Sequence, residues 1–361
     1  MKSELGIGSG SFEMTVMIPE RMQAVQLEEN GGPLLVRQIP VPRPGPGEVL
    51  IRMAASPINP SDLFFLAGNY AFQKPFPVVP GLEGSGTVVD AGKGLVPRIW
   101  MGKRVACAAA QTSDGTWAEY MVTSAMLCFP LPKNLSLEQG AMLIVNPMTA
   151  ISFFDIAKSE KHAAIVSTAA AGALGRMIIR LGQQHGLPVI NIVRRREQVE
   201  LLESLGAQYV LNSLDEGFAD RLRMVAQQLK ATLILDAVGG RLTQQLLDAA
   251  PFGATVLVYS NLSGEPGIFN AETLIFGDKK VEGFFLANQA AKKSFIARLW
   301  FTQRVKKLAT KALQTAVQKR LPLSAVQEAL GIYQDNMTAG KVLLVANPEE
   351  GPQAGTTDSE R

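Results

Sequence analysis

The stretch Ala163-Ala164-Ile165-Val166-Ser167-Thr168-Ala169-Ala170-Ala171-Gly172-Ala173-Leu174-Gly175-Arg176-Met177-Ile178-Ile179-Arg180-Leu181 decides the fold. Its first part, Ala163–Thr168, reads as a short apolar strand. Leu174, Met177, Ile178 and Leu181 then follow at i, i+3, i+4 and i+7, the apolar face of a helix. Small residues fill the turn between, so the backbone can bend tightly and approach a pyrophosphate. The helix start would offer unpaired N–H groups and the positive end of its dipole. Ala170, Gly172, Ala173, Leu174 and Gly175 are therefore candidate nucleotide contacts, with Gly175 also permitting close helix–sheet packing. A crowded turn without a ligand is the alternative; a nucleotide requires a full βαβ context.

That context follows downstream. Val189–Val193 reads as a strand, Gln198–Gly206 as a helix closed by Gly206, and Tyr209–Leu211 as a strand. Phe218–Leu229 is helical and Leu233–Asp236 a strand; Gly239-Gly240 open a further helix, and Thr255–Tyr259 and Val281–Leu286 are strands. Alternating strands and helices predict an α/β fold with a doubly wound parallel Rossmann sheet.

The second strand speaks to the cofactor. NAD enzymes place an Asp or Glu about 20 residues past the loop, on the ribose 2′-OH. From Arg176 to Arg196 there is no acidic residue, and Arg194-Arg195-Arg196 stand at the strand end. Guanidinium groups suit a 2′-phosphate that a carboxylate would repel, so NADPH is the expected cofactor. Three cations at a solvated helix start are the plainer reading, which the helix dipole disfavours.

Upstream, from Met22 to about Val145, short apolar runs such as Met22–Leu27, Val49–Ala54, Gly86–Asp90 and Arg104–Ala108 alternate with Gly and Pro, the pattern of a barrel-like β domain. After a long basic helical region, Gln289 to about Lys319, Lys341–Val345 reads as a strand returning to that domain, which makes the Rossmann unit an insertion. The expected division is a disordered segment over 1–21, a catalytic domain over 22–145, a nucleotide-binding domain over 146–288, a return over 289–346 and a flexible tail over 347–361.

Composition agrees: 361 residues suit about two domains. The net charge of +3 is dispersed, which argues against a nucleic-acid partner. The two cysteines, Cys107 and Cys128, exclude a disulfide scaffold and fit a reducing, cytoplasmic location. No run reads as membrane-spanning and the N-terminus lacks a signal-peptide pattern, so no membrane partner is expected.

Pro46-Gly47-Glu48-Val49, Asn59-Pro60-Ser61-Asp62, Pro80-Gly81-Leu82-Glu83-Gly84-Ser85-Gly86, the Ala169…Gly172…Gly175 loop, Leu205-Gly206-Ala207, Asp236-Ala237-Val238-Gly239-Gly240 and Gly340-Lys341-Val342 together resemble the medium-chain dehydrogenase/reductase superfamily over about Met22 to Val345. The resemblance implies a GroES-like β-barrel-type catalytic domain around the Rossmann domain. The chain departs from the zinc-bearing alcohol dehydrogenases. Ser61-Asp62 lacks the preceding Cys, Leu82 stands where a His is expected, and no four-Cys cluster exists, so no metal is expected.

Asn59-Pro60-Ser61-Asp62, Gly68-Asn69-Tyr70, Asn191–Arg196 and Gly283-Phe284-Phe285-Leu286 look more like mitochondrial-type 2-enoyl thioester reductases, although Ala71 departs from that pattern and quinone reductases also carry a Tyr near this point. This resemblance makes Tyr70 the catalytic candidate. Without zinc, a tyrosine hydroxyl can stabilise a developing enolate oxygen. It further implies cofactor contacts at Asn146 and Thr149, for which helix capping is the other reading, and lesser ones at Gly239, Tyr259, Phe285 and Lys341. Asn59, Phe64, Phe72 and Trp117, with Phe65 and Phe76, are candidate acceptor-pocket residues, although aromatic residues are more often core. The expected acceptor is a small-molecule enoyl thioester, enone or quinone, and a homodimer is expected by analogy. A nucleotide-binding protein with little turnover is the reading outside enzymology.

Overall fold

A computed structural model describes residues 17–292 and 295–346. The expected disorder of 1–16 and of the tail 347–361 falls outside the described residues. Of the remaining N-terminal segment, Ile18 packs on the core and Arg21 already opens the first strand.

The β-rich domain runs β1 (Arg21–Leu27), β2 (Leu34–Pro40), β3 (Glu48–Pro57), α1 (Pro60–Leu66), β4 (Glu83–Ala91), α2 (Leu95–Ile99), β5 (Arg104–Ala108), β6 (Tyr120–Ser124), β7 (Cys128–Pro130) and α3 (Leu137–Ala141). β1 and β2 pair by themselves. β3 pairs with β4 along its length, and its other edge takes β6 over Glu48–Arg52. Register shifts in the β3–β4 pair, at Leu50/Ile51 and Met53/Ala55, add the local twist that lets the sheet curl. Trp117, Ile51, Leu50, Met121 and Ile58 are fully enclosed in this domain's core.

The second domain runs α4 (Val145–Ser159), β8 (Ile165–Ser167), α5 (Ala173–His185), β9 (Val189–Val193), α6 (Arg196–Ser204), β10 (Tyr209–Asn212), α7 (Phe218–Leu229), β11 (Leu233–Asp236), α8 (Gly240–Ala249), β12 (Thr255–Val258), α9 (Ala271–Gly277), β13 (Lys280–Gly283), α10 (Leu286–Lys292) and α11 (Phe295–Ala309). Its sheet is parallel in the order β10-β9-β8-β11-β12-β13, the doubly wound arrangement with β8 at the point where the order reverses. Met177, Ile178 and Leu181 of α5 are buried against it, as the helical spacing requires, whereas Leu174 is half-buried.

The chain then returns through β14 (Val317–Pro322), α12 (Val326–Asp335) and β15 (Lys341–Val345). β15 pairs antiparallel with Ala55–Pro57 of β3 and parallel with β14, closing the β-rich sheet. The return starts later than the expected residue 289. Phe301, Val305, Leu308, Ala309, Ala312 and Leu313 share a core with Phe153 and Phe154 of α4, so α11 belongs to the nucleotide-binding unit. The basic helical region also stops short of Lys319, which already lies in β14. At the crossing between domains, Gln139 of α3 donates from Nε2 to the Thr315 carbonyl at 2.8 Å and accepts the Thr315 amide at 3.2 Å. Among the described residues, no helix is long and apolar enough to cross a membrane.

Candidate active site

The site is built around α1, and helix-end chemistry explains both motifs that flank it. Asn59 is the N-cap, Pro60 takes the first helical position that tolerates its missing N–H, and Asp62 at the third position accepts the Asn59 amide on Oδ2 at 2.8 Å. At the other end Gly68 adopts φ +76°, donating its amide to the Phe65 carbonyl while the Asn69 amide reaches the Phe64 carbonyl at 2.8 Å. This is the left-handed helix stop that glycine permits. Tyr70 follows that stop at once, so the Gly-Asn pair aims it.

Tyr70 packs edge-on against Phe72, with ring centroids 5.0 Å apart, and against Phe285, 5.8 Å away. Phe285 follows β13, so the Tyr70 ring meets the nucleotide-binding domain at the carboxyl end of a strand, where open α/β sheets bind ligands. The phenol is half-buried and its hydroxyl makes no hydrogen bond to another described residue. Burial, reinforced by the charge of Asp62, pushes its pKa well up, so the hydroxyl keeps its proton at neutral pH.

Behind Tyr70 lies a cluster of charges that sequence reading did not anticipate. Asp62 Oδ1 accepts the Leu82 amide at 3.0 Å. Glu83 takes the Asn59 side-chain amide on Oε1 at 3.0 Å, and the Ile144 and Val145 amides on Oε2 at 3.0 and 2.9 Å. The Lys341 ammonium donates to the Ile58 carbonyl at 2.9 Å and to Asn59 Oδ1. It also lies 5.2 Å from the Tyr333 ring centroid. Burial raises the Asp62 and Glu83 carboxyls and lowers the Lys341 ammonium, while the opposite charges pull against these shifts without overcoming them. The residue types were legible in the motifs, but their convergence across chain segments was not.

Three expected site residues are corrected by this arrangement. Asn59 is fully buried and its side chain is committed to Glu83 and Lys341, so it cannot also face an acceptor. Lys341 is 2% exposed inside the β-rich domain, its ammonium committed to the Ile58 carbonyl and the Asn59 side chain. Trp117 is 0% exposed beneath Gly81, whose φ of +97° and lack of Cβ admit the indole. Phe64 and Phe72 are half-buried, Phe72 against Tyr70, whereas Phe284 is core, its ring 4.7 Å from Phe153.

The nucleotide loop fits the group expected of it. A Cβ on Gly175 would meet the Ala170 carbonyl oxygen at 2.3 Å, so only glycine allows α5 to start this close to the loop. Gly172 caps α5 without a side chain over the first-turn amides of Ala173 and Leu174, and Ala169 holds φ +49°, a conformation non-glycine residues adopt at a cost. Ala170 is buried beneath the turn. Arg194, Arg195 and Arg196 are exposed at the end of β9, next to β8. Gly239, at φ +74°, starts α8 and donates to Asp236. Tyr259 packs on Phe153. Asn146 and Thr149 lie in the first turns of α4; neither caps it, because Glu83 binds the amides there.

A family model described as the alcohol dehydrogenase GroES-like domain matches residues 45–133, and one described as zinc-binding dehydrogenase matches residues 173–300. A mitochondrial enoyl-[acyl-carrier-protein] reductase from Caenorhabditis elegans is 32% identical over 308 residues, covering 82% of this chain and 88% of that protein. The human protein of the same name is 29% identical, covering 74% of each chain. Among solved structures, a Mesorhizobium loti protein named as an NADPH:quinone reductase superposes with a TM-score of 0.85 at 34% identity, covering 91% of this chain and all of that one. A mycobacterial protein solved as its NADPH complex superposes with a TM-score of 0.76 at 25% identity, covering 90% and 99%. With both domain models matched in order around the Tyr70 cleft, the chain belongs to the medium-chain dehydrogenase/reductase superfamily.

Proposed function

We propose that the protein is a zinc-independent, NADPH-dependent reductase of α,β-unsaturated carbonyl compounds, with a 2-enoyl thioester as its acceptor. The observation that carries this reading is the half-buried Tyr70 hydroxyl, which burial keeps protonated and which has no hydrogen-bond partner among the described residues, its ring set beside Phe285 at the domain cleft. NADPH, when bound, supplies the hydride that the acceptor's β-carbon receives. Tyr70 donates a hydrogen bond to the carbonyl oxygen, which gains negative charge as the double bond is reduced, and so lowers the barrier. The proton that completes reduction comes from solvent and goes to the α-carbon. Phe72 and Phe285 keep Tyr70 in place and exclude water from one side of it. The Ala169–Gly175 turn and the α5 amides would hold the pyrophosphate, and Arg194–Arg196 the 2′-phosphate.

Zinc independence is supported by the donor set. Leu82 offers no ligand, and the Asp62 and Glu83 carboxylates are spent on amides and face an ammonium group. The enoyl thioester assignment is supported by the names of the curated relatives.

The test is loss of reduced-nicotinamide absorbance with short- and long-chain enoyl-CoA beside benzoquinone, for the native protein and Tyr70→Phe. Thioester turnover that depends on Tyr70 supports the reading. Turnover of quinones alone, indifferent to Tyr70, would establish the quinone oxidoreductase that the structural neighbours' names suggest. NADPH binding without oxidation by any acceptor would leave a non-catalytic nucleotide-binding protein.

We further propose a cytoplasmic homodimer. Its seam would be the edge strand β13 beside α9, where Ile275 and Phe276 are 69% and 78% exposed. Light scattering of Phe276→Glu as a monomer would support this seam, and a native protein already monomeric would refute it. The buried, unpaired Cys107 and Cys128 suit a reducing compartment; recovery of the tagged protein in an organelle or secreted fraction would refute that location.

A further inference from the structure

Thr338 lies in the short connection between α12 and β15, on the segment that has returned to the β-rich domain. Its contacts point across the seam. The Thr338 hydroxyl oxygen accepts Arg195 Nη2 at 3.3 Å and Gln198 Nε2 at 2.9 Å, and its carbonyl accepts Arg176 Nη2. The loop is itself fixed. Asn336 Oδ1 accepts the Thr338 and Ala339 amides, each at 3.2 Å, and Gly340 holds φ +138°, where a Cβ would strike the Ala316 carbonyl.

A pocket of about 50 Å³ opens beside this loop, lined among others by Ala173, Arg176, Arg180, Thr338 and Gly340. Arg176, Arg180 and Arg195 donate to carbonyl or hydroxyl oxygens, and none pairs with a carboxylate among the described residues. Positive charge is therefore concentrated here without compensation, which suits an anion. Thr338 spends its lone pairs on Arg195 and Gln198, so its own hydroxyl hydrogen is left to donate.

We propose that Thr338 is a specificity-determining positioning residue: by holding Arg195 from across the domain seam, it sets the preference for a nucleotide that carries a 2′-phosphate. This rests on the reading that the arginine run receives that phosphate. An unrestrained Arg side chain gives up rotamer freedom on binding a phosphate. Thr338 removes part of that cost before the nucleotide arrives.

The experiment is calorimetric titration of the full chain with adenosine 2′,5′-bisphosphate and with 5′-AMP, for the native protein, Thr338→Val, Thr338→Ala, Thr338→Ser and Arg195→Ala. Thr338→Val and Thr338→Ala are expected to weaken the bisphosphate about tenfold. AMP affinity stays unchanged, and Thr338→Ser restores the bisphosphate. The NADPH-over-NADH ratio of kcat/KM should fall by the same factor. Equal weakening of both ligands, or of neither, overturns the proposal. If Arg195→Ala abolishes the 2′-phosphate preference while the Thr338 variants keep it, the arginine reading stands and the Thr338 role falls. If Arg195→Ala leaves the preference intact, the arginine reading falls and the Thr338 role with it.

Discussion

The Glu83 carboxylate of the β-rich domain accepts the Val145 amide at 2.9 Å, so an acid of one domain terminates the first helix of the other. The same carboxylate faces the Asn59–Lys341 pair, which places it in a buried charge cluster and at a domain junction at once.

Glu83→Gln should therefore cost more than a cap. It leaves the Lys341 ammonium undercompensated in the interior, for which about 3–5 kcal/mol is the expected loss in unfolding free energy. Urea denaturation of Glu83→Gln, Lys341→Met and the double variant would measure it. The double variant should lose less than the sum of the singles; strict additivity would show that the cluster does not act as a unit.

Tyr70 gives a pH prediction. Burial and the Asp62 charge push its phenol upward, so the donor stays protonated across the working range. Turnover should hold level on the alkaline side until above about pH 10, the ordinary tyrosine value. An alkaline limb centred near neutrality, absent from Tyr70→Phe, would mean that the phenol is not raised as the geometry requires.

Lys74 gives one about stability. The residue is 7% exposed, and its ammonium donates to the Ser113 carbonyl and lies 5.7 Å from the Phe65 and Phe72 ring centroids. Burial lowers its pKa to about 8 from 10.5, with Asp114 opposing. The unfolded chain thus binds more protons between these values, and stability rises with pH across that window. The full rise is about 3 kcal/mol. Lys74→Met should lack it; parallel stability curves for the two proteins would count against a buried ammonium here.

Gly175→Ala tests the nucleotide turn. The added Cβ would sit 2.3 Å from the Ala170 carbonyl oxygen, a contact that backbone must yield to. Overpacking of this kind costs about 1–3 kcal/mol, and displacing α5 from the turn should weaken NADPH by at least about tenfold in a fluorescence titration. Native affinity in the variant would place the pyrophosphate elsewhere.

What sequence made legible follows from locality. β9 and β11 have the bounds that their apolar runs predict, because a parallel strand buried on both faces is a continuous hydrophobic segment, and α7 and β15 also run as predicted. The start of the return was misplaced because α11 is assigned by what it packs against, and Phe301 and Val305 meet α4 about 150 residues earlier. Within the site, Tyr70 and the Gly172–Gly175 turn were readable from motifs. Asn59, Lys341 and Trp117 were read as contacts because polar or large residues in a motif suggest a ligand. Their partners proved to be internal, and single-chain pattern reading carries no term for burial of a lysine between distant segments.

The double hydrogen bond between Gln139 and Thr315 joins the outgoing and returning chain where both cross between domains. One side-chain amide thus imitates a strand pairing and ties the two chain crossings to each other. An opening of the cleft beside Tyr70 would be expected to turn about this tie. Sliding of the two domains past each other would have to break that amide pair first.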